Sequence, residues 1–301
     1  MFKPAYIKFH KSGELQMRAD ALYSLYENCT LCARNCKVNR KEGERGVCSA
    51  GPKAKICSAH AHFGEERPLV GNYGSGTIFF CHCNLLCLYC QNWDISHTAE
   101  GYEVTDEELA HVMMKLQRAG CHNINVVTPT HYLPNIVQAL VYAMEKGLHI
   151  PLVYNTGGYD RVEILEMLDG IVDIYLPDYK YSDGEPARKF SKGAKDYPEI
   201  GKAALKEMHR QVGVLETDDE GIALRGLMIR HLVLPNGLAG TEAFVKFVAE
   251  ELDPRTYVNI MSQYRPCYEA NGFPELNRGI HPEEYRKAML LAHKYKLTNL
   301  D

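Results

Sequence analysis

The chain has 301 residues, enough for one large α/β barrel or two ordinary domains. Apolar residues make up 46% and charged residues 24%, the balance of a soluble globular protein with a sizeable core. The formal charge of −4 gives no push toward nucleic acid or anionic lipid, and no apolar run approaches the roughly 20 residues of a membrane helix.

The N-terminus, Met1-Phe2-Lys3-Pro4-Ala5, carries no apolar core followed by a small-residue cleavage site. A cytoplasmic location is expected. In that reducing compartment the 11 cysteines read as metal-binding or catalytic before they read as disulfides. All but Cys121 and Cys267 fall between Cys29 and Cys90, so the metal chemistry is packed into the first third.

Residues 1–70 look irregular, broken by Gly43, Gly46, Gly51 and Pro52. A small segment of this kind is held by metal more readily than by apolar burial. We therefore expect a Cys-rich N-terminal metal-binding segment over 1–70 and a barrel over 71–301. From residue 76 strands and helices alternate. Thr77–Phe80 reads as a buried strand. Thr105-Asp106-Glu107-Glu108 is a capping box opening a helix that ends at Gly120. The strand Asn123–Val127, a helix over Leu133–Glu145 and the strand Leu152–Tyr154 come next. Asp160 to Glu163 is expected to cap another helix. Beyond it lie the strand Val172–Leu176, one long helical region over Gly184–Val212, and the strand Leu227–Leu234. A helix over Thr241–Glu251, the strand Tyr257–Met261 and a helix over Pro282–Tyr295 complete the series. Six consecutive strand–helix units demand a parallel sheet with helices outside it. Its reactive groups belong at the C-terminal ends of the strands, in a barrel or in an open sheet.

The residues just past each strand carry the chemistry. The first strand runs into Cys83, Cys87 and Cys90, spaced Cys-x3-Cys-x2-Cys. A cubane of four irons normally takes four cysteines, so three leave one iron open. A zinc loop is the alternative, but zinc asks for a fourth ligand. The later strands end in Thr128-Pro129-Thr130-His131, Asn155-Thr156-Gly157-Gly158, Pro177-Asp178-Tyr179-Lys180, Pro235-Asn236-Gly237 and Ser262-Gln263-Tyr264-Arg265-Pro266. Each offers polar or charged groups to one face.

These motifs, with Phe79-Phe80, Tyr89-Cys90-Gln91-Asn92 and Pro177 to Ser182, resemble the pyruvate formate-lyase activating enzyme-like branch of the radical S-adenosylmethionine (SAM) superfamily. The resemblance covers about residues 29–300 and implies a partial (β/α)6 TIM-like barrel. It implies a [4Fe-4S] cluster on Cys83, Cys87 and Cys90 that is sensitive to oxygen. The open iron would chelate SAM, and one electron would split SAM to a 5′-deoxyadenosyl radical that removes hydrogen from a substrate. A reduced flavodoxin- or ferredoxin-type donor is implied, and the family name suggests a glycyl-radical-type protein substrate. A non-enzymatic iron–sulfur electron carrier or metal-binding scaffold is the rival reading. A zinc-dependent nucleic-acid module is disfavoured by the charge and the barrel repeats.

The sequence departs from the family in places. Cys81-His82 stands where a small Ser-Gly pair is common. Cys81 thus offers a fourth thiol, to compete as a ligand or simply to pack. Leu86 stands where a basic residue is common. No Gly-Gly-Glu follows the second strand, so Thr128 and Thr130, or nearby carbonyls, are the SAM contacts expected there. Asn155 and Gly157 are further SAM candidates, as are Asp178 and Lys180, for which an exposed ion pair is the bland alternative. His131, His231, Gln263, Tyr264 and Arg265 are substrate-side candidates, with Tyr264-Arg265 suited to a carboxylate. Cys57, His60 and His62 read as framework. Cys29, Cys32, Cys36 and Cys48, spaced Cys-x2-Cys-x3-Cys-x11-Cys, form a candidate second site for zinc or an auxiliary iron–sulfur cluster. The basic loop around them, Arg34 to Lys55, reads as solvated, or as a dock for an acidic redox partner.

Overall fold

A computed structural model describes residues 2–301. The chain opens with α1 (Tyr6–Ser12) and α2 (Glu14–Ser24), joined at Gly13 in the left-handed conformation that glycine adopts at little cost. Both helices lie in the stretch expected to be irregular. Leu15, Ala19 and Leu22 recur at helical spacing and are fully buried, a period that the cysteines and glycines downstream obscured.

After the cysteine-bearing loops come β1 (Ala54–His62), α3 (Arg67–Val70) and β2 (Ser75–Phe80). The chain then runs through β3 (Tyr102–Val104), α4 (Asp106–Arg118), β4 (Ile124–Val127), α5 (Leu133–Glu145), β5 (Leu152–Thr156), α6 (Val162–Glu166) and β6 (Ile174–Pro177). It ends with α7 (Gly184–Phe190), α8 (Tyr197–Val212), β7 (Glu216–Thr217), β8 (Ala223–Leu232), α9 (Thr241–Glu251), β9 (Tyr257–Met261) and α10 (Pro282–Lys294). The region read as one helix over 184–212 is two, because Lys192 and Gly193 both take positive φ between α7 and α8.

Strands β2, β4, β5, β6, β8 and β9 pair in parallel in that order, the six strands expected. The sheet does not close. β1 lies antiparallel on β2, and β3 antiparallel on β1, so the cysteine-rich segment feeds its last strand into the barrel sheet. The result is the expected partial barrel, with three antiparallel strands, β1, β3 and β7, that the sequence reading passed over. The capping box at Thr105 forms as predicted, Thr105 Oγ1 accepting from Glu108 N and Glu108 returning the bond. No helix among the described residues is long and apolar enough to cross a membrane.

The N-terminus is fastened beneath the barrel. Asp173, just before β6, accepts hydrogen bonds from Ala5 N at 2.8 Å and Leu152 N at 3.0 Å. Burial pushes its carboxyl up to about 7, with the two backbone donors only partly offsetting it. An unfolded Asp titrates near 3.9. Between those values the folded state binds the extra proton, so this stabilisation is complete below about pH 4 and fades as pH rises through about 7. Thermal melts of wild type and Asp173→Asn across that window should therefore show the wild type losing ground relative to the variant as pH rises. A pH-independent difference would contradict the assignment.

Candidate active site

The cysteine loop leaves the C-terminal end of β2 and turns sharply. His82 and Leu86 both adopt left-handed backbone, a local cost that persists only where surroundings hold the turn. Arg34 supplies much of that hold. Its guanidinium donates to the carbonyls of Asn84 (2.7 Å), Leu85 (3.1 Å), Ser191 (3.0 Å) and Lys192 (2.8 Å). The Asn84 side chain in turn donates to the Tyr159 carbonyl.

Each thiol has a donor on its sulfur. Leu85 N approaches Cys83 Sγ at 3.3 Å, Ser191 Oγ approaches Cys87 Sγ at 3.0 Å, and Ser96 Oγ approaches Cys90 Sγ at 3.3 Å. Burial pushes all three thiols up, while these donors and the Lys180 ammonium pull them back toward thiolate. Cys81 takes no part, because it is disulfide-bonded to Cys57 on β1. Of the two roles expected for Cys81, competing as a ligand or packing, the bond leaves the second, and it keeps Cys57 in the framework.

The three thiols line a cavity of about 580 Å³ at the mouth of the barrel. That is ample for a nucleoside-sized ligand. Thr128, Asn155, Gly157, Asp178, Lys180 and Gln263 line it too. Lys180 Nζ meets Asp178 Oδ2 at 2.7 Å. Burial opposes the lysine charge, but the Asp178 carboxylate outweighs it and pushes the ammonium up. The buried Tyr197 hydroxyl stitches β5 to β6, lying 3.0 Å from the carbonyls of Gly157 and Asp178 and accepting from Lys180 N at 2.9 Å.

Other predicted residues sit elsewhere. Thr130 is buried behind the mouth and donates to Asp160 at 2.6 Å. Asp160 does not cap α6; it also accepts from Thr156 (2.7 Å) and Tyr154 (3.0 Å). His131 is buried, with Nε2 2.9 Å from the Cys81 carbonyl, and burial lowers its pKa to about 3. His231 lies between the Tyr179 carbonyl and Thr241 Oγ1. Burial holds it neutral, near 4. Tyr264 donates to the Leu276 carbonyl, and Arg265 is exposed. None of Thr130, His131, His231, Tyr264 and Arg265 lines the cavity. Each buried strand-end histidine or hydroxyl points inward to satisfy a backbone or carboxylate partner instead.

The wall next to the Asp178–Lys180 pair went unread in the sequence. Arg230 on β8 is held by Glu65 and by Glu66, the latter at 2.6 Å, and Asn259 donates to Glu66 at 3.0 Å. Burial opposes the guanidinium charge, but Glu66 and Glu65 outweigh it and keep Arg230 protonated. Arg67 and Asp301 complete this wall. The signal was present: Arg230 follows the apolar run Leu227-Met228-Ile229 inside the strand.

Known proteins resemble this chain as a whole. A family model for the radical SAM superfamily matches residues 77–211, from β2 to α8. An uncharacterized protein of Methanocaldococcus jannaschii, MJ0674, is 36% identical over 97% of this chain and 82% of its own length. This chain belongs to the radical SAM superfamily. A second protein of that organism, MJ0808, is 28% identical over 82% of this chain and 73% of its own. The pyruvate formate-lyase-activating enzyme of Clostridium pasteurianum is 26% identical over 80% of this chain and 90% of its own. Among solved structures, native anSMEcpe with bound AdoMet aligns over 73% of this chain and 61% of its own at TM-score 0.48 and 13% identity.

Membership implies a [4Fe-4S] cluster and SAM, and the donor set fits them: three thiols with donors on sulfur, opening on one cavity. Two outcomes are expected from the geometry. Cys81→Ser should leave the iron bound per chain unchanged, by colorimetric iron assay; a loss of iron would return Cys81 to the ligand set. Gly158 has φ 77°, and a Cβ there would run into the Asp178 carbonyl, whereas one on Gly157 meets only ordinary contacts. In denaturant melts Gly158→Ala should cost about 1–3 kcal/mol and Gly157→Ala less than about 0.5 kcal/mol. Equal costs would contradict the close approach of β5 to β6.

Proposed function

We propose that this chain is a radical SAM enzyme whose cluster sits on Cys83, Cys87 and Cys90, with SAM in the adjoining cavity. The supporting observation is the convergence of three thiols, no fourth one, and the Asp178–Lys180 pair on a single cavity at the C-terminal edge of the sheet. When bound, the cluster supplies one electron to cleave SAM into methionine and a 5′-deoxyadenosyl radical, which abstracts hydrogen from the substrate.

The chain's own residues hold the geometry. Lys180 is the cation for the SAM carboxylate and Asp178 the acceptor for its ammonium or ribose hydroxyls. Asn155 and Thr128 offer further polar contacts, and Gly157 leaves room beside Leu85 and Lys180. Leu85, Tyr89, Ile95 and Phe80 line the same cavity with apolar surface, which limits water around a reactive radical. Glu65, Glu66, Arg67, Arg230 and Gln263 remain for the substrate side. A protein substrate of the glycyl-radical type is the reading supported by the Clostridium pasteurianum relative. A flavodoxin- or ferredoxin-type protein is the proposed electron donor. The electron-carrier alternative would want a fourth ligand at this cluster, and Cys81 is engaged with Cys57.

The test is direct. Protein reconstituted anaerobically with iron and sulfide, reduced with dithionite and given SAM should form 5′-deoxyadenosine and methionine. Alanine at Cys83, Cys87 or Cys90 should lower that product at least 100-fold. A fully loaded wild type that forms none would contradict the proposal.

A further inference from the structure

The N-terminal cysteines are not used by the site above. Cys29, Cys32, Cys36 and Cys48 nevertheless come together in the fold. A Cβ on Gly46 would meet Cys36 Sγ at 2.8 Å, and Gly46 stands two residues before Cys48, so the third and fourth cysteines lie on facing stretches of chain. Cys29 N and O pair with the backbone of Val38 and Lys37, which folds the first cysteines back on the third. Val47 N points at Cys36 Sγ at 3.4 Å.

A second, independent observation lies beside them. Arg40 is 1% exposed, yet among the described residues it has no carboxylate partner. Two of its nitrogens donate to the carbonyls of His131 and Gly51, and its guanidinium covers the Tyr26 ring at 3.9 Å. Its Nε is buried with no hydrogen-bond partner, and its contacts at Tyr26 and Gly51 each lie three residues from a cysteine of the group, Cys29 and Cys48. A buried, uncompensated guanidinium is strongly unfavourable, and neutral thiols do not compensate it. Four thiolates on a metal centre carry net negative charge and sulfur acceptors, and would meet both needs.

From this cluster of thiols and the orphaned Arg40 donor, we propose that Cys29, Cys32, Cys36 and Cys48 hold a second [4Fe-4S] cluster. A cubane seats each of four cysteines on its own iron, and the direct tie of this segment to the other cysteine loop through Arg34 suits an electron-carrying centre better than an inert zinc. With four cysteine ligands no iron is open. This centre exchanges electrons and does not bind substrate.

Its position suits that role. Arg34, between Cys32 and Cys36, donates to Asn84 and Leu85 of the other cysteine loop. Arg40 reaches the His131 carbonyl, and the His131 ring reaches the Cys81 carbonyl at 2.9 Å. An external low-potential one-electron donor of the iron–sulfur or flavin class would be oxidised as this cluster is reduced. The cluster would then return to its oxidised state by passing that electron to the Cys83, Cys87 and Cys90 centre. The transfer, though not the second cluster itself, rests on the function proposed above.

Iron, acid-labile sulfide and zinc should be counted in three anaerobically reconstituted proteins. Wild type should hold about eight irons and no zinc, and C83A/C87A/C90A and C29A/C32A about four each. The triple variant should keep a visible absorption band that bleaches with dithionite. One zinc, or no metal, in the triple variant overturns the proposal, as does wild-type iron that C29A/C32A leaves unchanged. If one variant fails to fold, the other decides: about four irons in the triple variant, or about four fewer than wild type in C29A/C32A, is the result expected, and its absence overturns the second cluster. Should wild type and the triple variant carry the same four irons, lost in C29A/C32A, the second cluster stands and the Cys83 site fails.

Discussion

The mouth of this barrel depends on how one turn is held. Cys83, Cys87 and Cys90 must share a short loop, and that loop passes through left-handed backbone at His82 and Leu86. Nothing within the loop makes this favourable. Arg34 does it from outside, with four hydrogen bonds to carbonyls on two separate segments. Arginine suits the task because its planar fork carries several donors in fixed geometry. Ser191, gripped through its carbonyl by the same guanidinium, also presents its hydroxyl to Cys87. The N-terminal segment is thus a structural part of the cysteine loop, although Arg34 lies far ahead of Cys83 along the chain.

The rest of the site is organised around two part-buried ion groups side by side on neighbouring strands, where Asp178 and Arg230 form a parallel bridge. Asp178 and Lys180 follow β6, where the hydroxyl of Tyr197 ties their backbone to β5. Arg230 on β8 is clasped by Glu65 and Glu66, which reach it from the segment before α3. Pairing keeps each charge stable out of water, and breaking one partner would leave an uncompensated ion. The thiols stand among these groups. Each wall is therefore anchored by strand-end residues and not by mobile loop tips, which suits a reaction that must hold a radical close to its target.

Much of this was legible in the sequence, for physical reasons. The parallel strands are short apolar runs with helices between them, so all six appeared in the expected order. The capping box at Thr105 is a local device and formed as written. The misses share a different cause. β1 is mostly half-buried, carries Cys57, His60 and His62, and becomes a strand by pairing with β2 and β3. His131, His231 and Thr130 sit at strand ends as the active-site pattern suggests, but their inward partners are tertiary: the Cys81 carbonyl, the Tyr179 carbonyl and Asp160. The Cys57–Cys81 bond joins two strands whose antiparallel register cannot be read from spacing. Arg230 was visible as a charge inside a buried strand, while its partners Glu65 and Glu66 lie 165 and 164 residues earlier in the chain.

The central claim is that the iron left open by Cys83, Cys87 and Cys90 receives SAM. Electron paramagnetic resonance of the reduced protein addresses it without any knowledge of the substrate, best in C29A/C32A, where the other cysteines cannot contribute a signal. Addition of SAM should shift and sharpen the spectrum of the remaining reduced cluster, and SAM labelled with 17O at its carboxylate should broaden it through hyperfine coupling. A spectrum indifferent to SAM, from protein loaded with iron and sulfide, would contradict the account.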